Sequence, residues 1–249
     1  MKNYRPAMSF DEDVAANYDE TSQRGDETST VAFLKRLAGD GPALELAIGT
    51  GRIALPLAGE GVQVDGIDFS PAMVAKLRSK PGGDKIDVTI GNFADVTVPG
   101  AYRLIYVVFN TLFNLLTQDE QVRCFENVAS HLTQDGVFVV EGGVPAEFDR
   151  LRNNQYVDAE AIVTDNVRLD VARFDPVTQL LEETHVTLSP AGVQLHPIVT
   201  RYAWPSELDL MARIAGLQLR ERWAGWEREP FTAASGNCVS VYERRGKKE

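Results

Sequence analysis

The feature that most constrains the fold is the alternation of short apolar runs with amphipathic segments between residues 43 and 141. Helix signals stand between several of these runs: Pro71 follows the capping residue Ser70, and residues 118–132 carry apolar side chains at helical spacing. Strands that alternate with helices form parallel sheets, and continuous apolar strands indicate that helices cover both faces. The five runs that we interpret as strands are residues 43–48, 62–67, 86–90, 104–109 and 136–141.

The pattern changes after Pro145. Residues 157–203 alternate apolar and polar side chains and contain turn signals rich in Asp, Asn, Pro and Gly, which predicts an antiparallel meander of three or four strands. A helix over 205–215 and two further strands over 217–222 and 239–242 follow. The expected domain organisation is a helical cap at 1–40, an α/β core at 41–145, an antiparallel β insertion at 146–204 and a closing helix with two strands at 205–249.

Charge and cysteine content narrow the class of partner and compartment. The chain has 25 Lys and Arg against 36 Asp and Glu, a net charge of −11, which argues against nucleic acid or an anionic membrane as the main partner. No apolar run reaches the roughly 18 residues that a membrane helix needs. Cys124 and Cys238 belong to no C-x-x-C pair, so we expect reduced thiols, no metal site and a cytoplasmic protein.

One motif carries the chemistry. The first strand leads directly into Gly49-Thr50-Gly51-Arg52-Ile53-Ala54, and Asp68 at the end of the second strand lies 23 residues after Glu45. A glycine turn before a helix lets backbone N–H groups approach a ligand, and a carboxylate at this place binds ribose hydroxyls. The motif predicts an adenosine-bearing ligand at the carboxyl edge of the sheet. Since Gly-x-Gly-x-x-Ala also fits a dinucleotide fingerprint, the glycines alone leave two interpretations open.

The residues around the turn resemble class I S-adenosylmethionine-dependent methyltransferases. The similarity rests on residues 45–51, on 66–73 (Gly-Ile-Asp-Phe-Ser-Pro-Ala-Met), on 91–95 and on 110–114, and it extends over about residues 10–145. The insertion is similar to that of small-molecule members such as sugar N,N-dimethyltransferases. The resemblance implies a doubly wound, Rossmann-like, seven-stranded and mostly parallel sheet with its last strand antiparallel. It also implies S-adenosylmethionine as cofactor and methyl transfer to N or O of a small polar acceptor, such as an amino sugar or secondary metabolite.

The same resemblance assigns cofactor contacts to residues at the strand ends and in the cap. Two of them depart from the family pattern, because Ala47 replaces the usual first glycine and Asn92 stands where Asp is common. The implied roles are Glu45 near the methionine amine; Ala47, Gly49 and Gly51 against the methionine and ribose; Asp68 on the ribose hydroxyls; Phe69 and Met73 around the adenine; Asn92 and Phe93 at its edge; the Phe109 carbonyl towards the amine; and Tyr18 closing over the cofactor.

Methyl transfer to an amine or hydroxyl also needs a group that removes a proton, and histidine or a carboxylate is the usual choice. The candidates are His185 and His196 in the insertion, Glu141 at the end of the fifth strand and, beyond its closing role, Tyr18. The acceptor pocket is predicted to involve Asn110 and Phe113 after the fourth strand and the aromatic side chains of Tyr202 and Trp204.

Two other functions remain alternatives at this point. A nicotinamide-dependent oxidoreductase would use the same glycine turn, although the sequence contains no Tyr-x-x-x-Lys pair. A non-catalytic subunit would bind S-adenosylmethionine without an acceptor pocket. An exposed apolar edge on the meander would favour a homodimer formed through the β insertion.

Overall fold

The computed structural model describes residues 1, 4, 6–22, 24–145 and 151–246. The strands are β1 Ala43–Leu46, β2 Val64–Asp68, β3 Val88–Ile90, β4 Tyr102–Val107, β5 Leu132–Gly143, β6 Gln155–Val163, β7 Asn166–Asp175, β8 Leu180–Ser189, β9 Gly192–Arg201, β10 Leu217–Trp223 and β11 Asn237–Arg244. The α-helices are α1 Glu12–Thr21, α2 Glu27–Ala38, α3 Ala54–Gly59, α4 Pro71–Arg78, α5 Gln118–His131 and α6 Pro205–Ile214. Short 3₁₀ helices include Pro6–Ser9 and Thr111–Asn114.

Seven strands form one sheet in the order β10-β11-β5-β4-β1-β2-β3. The pairs β1–β2, β1–β4, β2–β3 and β4–β5 are parallel, whereas β11 runs antiparallel to both β5 and β10. The predicted mostly parallel sheet with an antiparallel last strand is confirmed. Strand order reverses between β1 and β4, and ligands of such sheets bind in the crevice at the carboxyl ends of the strands there.

Helices cover both faces of this sheet, as the continuous apolar strands predicted. The stripe of α2 that contains Phe33 and Leu34 is buried on one face, in the same apolar cluster as Leu104 of β4. On the other face, Phe125 of α5 packs edge-on against Phe138 at 5.2 Å between ring centroids. Burial of these side chains supplies the main driving force for folding.

The insertion folds into a four-stranded antiparallel sheet, β6-β7-β8-β9, which confirms the predicted meander. Arg201 at the end of β9 fixes its base, because the buried guanidinium donates hydrogen bonds to Gln121 at 2.6 Å and Glu207 at 2.7 Å. The strand β9 also packs against the two 3₁₀ helices Pro6–Ser9 and Thr111–Asn114. One end of the insertion therefore lies beside the segment that follows β4.

Two strands end earlier than the apolar pattern predicted, and backbone geometry explains both differences. β1 stops at Leu46 because Ala47 has a left-handed φ of 56°. β4 stops at Val107, and Phe109 and Asn110 then have φ values of 61° and 58°. Within the described ranges no helix is long and apolar enough to cross a membrane. Cys124 and Cys238 are buried free thiols.

Candidate active site

The turn after β1 and the end of β2 form one hydrogen-bonded unit in the crevice. Asp68 accepts hydrogen bonds from the N–H groups of Gly49 at 2.7 Å and Ser70 at 2.8 Å. Gly49 and Gly51 have φ values of 55° and 78°, and a Cβ on Gly51 would lie only 2.9 Å from Leu77 Cδ1. Burial raises the pKa of Asp68 above its ordinary value. The turn therefore needs glycine for its backbone conformation and for the close approach of α4.

A second buried acid, Glu45, lies next to this turn on β1. It accepts a hydrogen bond from the Tyr106 hydroxyl at 2.9 Å, and burial raises its pKa to about 8. Tyr18 of α1 is partly buried and lies within electrostatic range of Glu45, Asp68 and Arg52. Burial raises the pKa of Tyr18 above its ordinary value, so its hydroxyl keeps its proton at neutral pH. The structure thus brings Tyr18, Glu45 and Asp68 together.

The chain leaves β4 through a strained turn that the end of β5 supports. Phe109 donates its backbone N–H to Glu141 Oε2 at 2.6 Å, and Asn110 Oδ1 accepts from the N–H of Gly143 at 2.5 Å. Consecutive left-handed residues other than glycine are costly and persist only where neighbouring groups hold them. Two predicted site residues, Glu141 and Asn110, supply these contacts.

Two arginines that the sequence analysis missed flank the ring of Phe109. The Cζ atoms of Arg24 and Arg52 lie 4.8 Å and 5.0 Å from its centroid. Arg24 also forms an ion pair with Glu141 at 2.7 Å, and Arg52 forms one with Glu27 at 3.0 Å. Arg52 lies inside the glycine motif, so its position in the sequence was a signal that it could belong to the site. Arg24 lies between two helices with no motif around it.

The predicted adenine-binding side chains lie on the other flank of the turn. Phe69 is partly buried and packs edge-on against Phe10 with 5.8 Å between centroids. Met73 is buried in α4, and a Cβ placed on Gly49 would lie 3.3 Å from its Cε. These two side chains border the turn from the side of β2.

The remaining residues that were predicted to contact the cofactor differ in burial and in backbone conformation. Asn92 is exposed after β3, and its Oδ1 accepts a hydrogen bond from the N–H of Ala94 at 2.9 Å. Phe93 is buried within the apolar core. Ala47 adopts the left-handed conformation that a glycine at this position would adopt with less strain.

Residues of the N-terminal cap are hydrogen-bonded to the glycine turn. Asp19 of α1 accepts from the Thr50 hydroxyl at 2.6 Å and pairs with Lys80 at 2.7 Å. The Ser70 hydroxyl donates to the carbonyl of Phe10 at 2.6 Å. These contacts, together with Arg24, hold the cap against the ends of β1, β2 and β5.

The predicted acceptor residues lie on the side of the insertion. Phe113 is buried in the 3₁₀ helix against which β9 packs, and a Cβ on Gly142 would lie 3.0 Å from its ring. Tyr202 is also buried and meets Phe174 edge-on at 6.4 Å. Trp204 is partly exposed where α6 begins. These three side chains therefore come from three different parts of the chain.

The predicted histidines lie on the insertion itself. His185 Nδ1 is 2.6 Å from Asp170 Oδ1, and His185 faces His196 directly in the β8–β9 register. Both imidazoles are exposed. An aspartate that holds one ring nitrogen orients the other for proton transfer. The structure groups these histidines with each other, whereas Glu141 and Tyr18 belong to the cluster at the strand ends.

Comparisons with known proteins identify the family. A family model described as a methyltransferase domain matches residues 43–136. The chain is 38% identical to the CcbJ methyltransferase from Streptomyces caelestis, whose solved structure aligns with a TM-score of 0.91 over 98% of this chain and 100% of that one. The chain belongs to the class I S-adenosylmethionine-dependent methyltransferases.

Two further relatives of this methyltransferase are similar over most of their length. The cypemycin N-terminal methyltransferase of a Streptomyces species is 29% identical over 207 residues, which cover 81% of this chain and 82% of that protein. The structure of S-adenosylmethionine-bound CalS10, an amino pentose methyltransferase from Micromonospora echinaspora, aligns with a TM-score of 0.68 at 19% identity, over 98% and 100% of the two chains. The latter likeness shows the fold.

The family decides between the interpretations that the glycine turn left open. The protein is a methyltransferase, and the nicotinamide and non-catalytic alternatives are set aside. The residues present fit S-adenosylmethionine. A buried acid stands at the end of β2 for ribose hydroxyls, and Phe69 and Met73 border the turn. Burial raises the pKa of Glu45 to about 8, and a cationic amine beside it would favour its ionised form.

Proposed function

We propose that this methyltransferase methylates the amine nitrogen of a small polar acceptor, with an amino sugar or related secondary metabolite as the leading class. The observation that carries the proposal is the row of Asp158, Asp170, His185 and His196 across the insertion, in which two acids stand beside two imidazoles. In a chain of net charge −11 such a row attracts a cationic amine more than an anionic acceptor. The names of the cypemycin and CalS10 enzymes support an amine, since they specify an N-terminus and an amino pentose.

Bound S-adenosylmethionine supplies an electrophilic methyl group on a sulfonium. We assign Asp68 to its ribose hydroxyls, Glu45 to its methionine amine and the backbone of the 47–51 turn to the segment between them. Arg24 and Arg52 are the cations beside this turn, and we assign them to the methionine carboxylate. The remaining proposed contacts are Phe69 and Met73 around the adenine, Asn92 and Phe93 at its edge, the Phe109 carbonyl at the amine and Tyr18 over the cofactor.

The acceptor amine must be neutral when it attacks, so a group near it has to take a proton. His185, oriented by Asp170, and His196 opposite it are our candidates for the base. For Glu141 we propose a positioning role in place of proton abstraction, because Arg24, Asn237 and the Phe109 N–H already occupy its oxygens. Tyr18 stays protonated at neutral pH and acts as a donor that closes the site.

The acceptor would lie between the core and the described part of the insertion, residues 151–204, beside the segment that follows β4. Asn110 and Phe113 would form the wall on the core side, with Tyr202 and Trp204 at the base of the insertion. We keep as predictions that nucleic acid is not the acceptor, that the enzyme works in the cytoplasm without a metal, and that the insertion mediates self-association.

A matched acceptor panel tests this function. The purified enzyme would be incubated with S-adenosylmethionine and pairs of acceptors that differ only in an amino or hydroxyl group, with S-adenosylhomocysteine measured by mass spectrometry. We expect turnover of the amino member of a pair. We also expect H185A and H196A to be slower than the wild type at pH values below the pKa of the acceptor amine, where the amine needs a base. Turnover of hydroxyl members alone contradicts the proposal. Unchanged pH profiles in both histidine variants exclude these residues as the base.

A further inference from the structure

A buried polar junction joins the base of the insertion to the core. Its centre is Arg201, the last residue of β9, which is 4% exposed. The guanidinium donates hydrogen bonds to Gln121 Oε1 at 2.6 Å, to Gln179 Oε1 at 2.8 Å and to Glu207 Oε1 at 2.7 Å. These partners come from α5, from the turn between β7 and β8, and from the first turn of α6. We call these four residues the Arg201 junction.

The junction contacts the backbone on both sides of the proposed acceptor pocket. Gln121 is fully buried, and its Nε2 donates to the Leu115 carbonyl at 3.1 Å and to the Arg201 carbonyl at 2.8 Å. Leu115 lies two residues after Phe113, which we assigned to the wall on the core side. Arg201 immediately precedes Tyr202, at the base of the insertion. One side chain therefore links the backbone segments that carry the two walls.

Stability alone does not explain a charged junction at this place. The side chains of Arg201 and Glu207 are only 5% and 16% exposed, and well-packed apolar residues often stabilise a fold as much as such a pair does. Although burial opposes it, hydrogen bonds from Gln179 and Arg201 lower the pKa of Glu207, so this acid is charged at neutral pH. Hydrogen bonds are directional, so a satisfied network specifies one arrangement of the elements that it joins.

We infer that Arg201 is a positioning residue for acceptor binding, which holds the insertion, through Gln121 and Glu207, in the orientation that forms the acceptor pocket. The inference rests on the proposed function, because it takes the acceptor to bind between the insertion and the segment after β4. The residues that we assign to the cofactor are not members of the junction. Loss of the junction should therefore weaken binding of the acceptor and leave binding of S-adenosylhomocysteine unchanged.

Replacement of the charged pair by apolar residues separates positioning from stability. The double variant R201M/E207L removes both charges together, so neither is left buried without its partner, and it should unfold at nearly the wild-type urea concentration. Its KM for the most rapidly methylated amino acceptor of the panel should rise at least about 10-fold, with a smaller change in kcat. A variant that is merely less stable contains fewer active molecules, which lowers the apparent kcat but not the affinity for the acceptor.

The matched control is the double variant R222M/D209L. Arg222 pairs with Asp209 at 2.6 Å, so this second ion pair joins the same helix, α6, to β10 and not to the insertion. The control should keep the wild-type KM for the acceptor whatever stability it loses. Isothermal titration calorimetry should give both double variants an affinity for S-adenosylhomocysteine within about twofold of the wild type.

An unchanged acceptor KM in R201M/E207L overturns the inference, as does an equal rise in the control or a parallel loss of affinity for S-adenosylhomocysteine. If the double variant does not fold, R201K replaces it with the same expectation, because lysine keeps the charge and loses the planar fork. A wild type that methylates only hydroxyl acceptors contradicts the proposed amine, and the KM comparison is then made with the fastest of these.

Hydrogen exchange provides a second measurement that needs no acceptor. The amides of residues 111–115 and 198–202 should exchange at least about 10-fold faster in R201M/E207L than in the wild type, because the junction that joins these segments is lost. They should keep the wild-type rate in R222M/D209L. Wild-type exchange in R201M/E207L overturns the inference even if no acceptor of the panel is methylated.

Discussion

Glu141 accepts a 2.6 Å hydrogen bond from the backbone N–H of Phe109, a residue with a left-handed φ of 61°. The other oxygen of Glu141 accepts from Arg24 at 2.7 Å and from Asn237 at 3.3 Å. One buried carboxylate thus joins the turn after β4, the last strand and the N-terminal cap. The contact explains how a strained turn persists at the edge to which we assign the cofactor.

Removal of this carboxylate should destabilise the protein. Glu141→Ala leaves the Phe109 N–H without an acceptor and leaves the partly buried Arg24 only its longer pair with Asp26 at 3.7 Å. We therefore expect a loss of about 3 kcal/mol in the free energy of unfolding. Glu141→Gln keeps an acceptor and should lose less. Urea denaturation measures both. Glu60→Ala, which breaks the exposed pair with Lys35, is the control and should change nothing measurable. A wild-type stability in E141A would refute the positioning role.

Ala47→Gly should stabilise the fold. An L-residue in the left-handed region costs roughly 1–2 kcal/mol, whereas glycine loses up to about 1 kcal/mol more backbone conformational entropy on folding. We therefore expect a net gain of up to about 1 kcal/mol in the free energy of unfolding. Ala58→Gly within α3 is the matched control and should cost about 1 kcal/mol, because its backbone is helical. Thermal unfolding of both variants provides the measurement. Equal destabilisation by the two substitutions would show that position 47 carries no strain.

Stability should fall as pH rises past the ordinary pKa of Glu45. Burial keeps a proton on this residue in the folded state up to a pKa of about 8, whereas its ordinary pKa is 4.5. The stabilisation is therefore fully present below pH 4.5 and is lost as pH rises to about 8. Glu45→Gln imitates the protonated acid and should flatten this slope, which amounts to about 1.4 kcal/mol per pH unit at most.

Unfolding free energies measured across this pH window test the expectation for Glu45. Glu60→Gln, at an exposed site, is the control and should keep the wild-type slope in the alkaline half of the window. Identical slopes in the wild type and E45Q would mean that Glu45 is charged in the folded state.

The sequence predicts the parallel core because its signals are local. Apolar runs, the Ser70-Pro71 helix start and the glycine turn each reflect a preference of adjacent residues, and the sheet follows from their order. The ends of β1 and β4 were misjudged since Ala47 and Phe109 continue the apolar pattern while their backbones turn away. Apolar character alone does not encode the sign of φ.

Contacts between residues far apart in the chain could not be predicted from the sequence. Arg24 and Glu141 are 117 positions apart, and nothing near Arg24 marks it as a partner of the fifth strand. The alternation in the insertion predicted the meander, but which of its side chains stay exposed depends on how β9 docks on the core. Sequence thus located the acids at the strand ends, and only the structure assigned Glu141 its three donors.

Binding of S-adenosylhomocysteine to the wild type and to Asp68→Ala tests the central claim most directly. Isothermal titration calorimetry should show binding to the wild type and to Asp65→Asn, a control on the same strand whose carboxylate pairs with Tyr102. Asp68→Ala should weaken binding about 100-fold through loss of the ribose contacts, and NADH should not bind. Wild-type affinity in D68A, or binding of NADH in place of S-adenosylhomocysteine, would contradict the assignment of the cofactor to this turn.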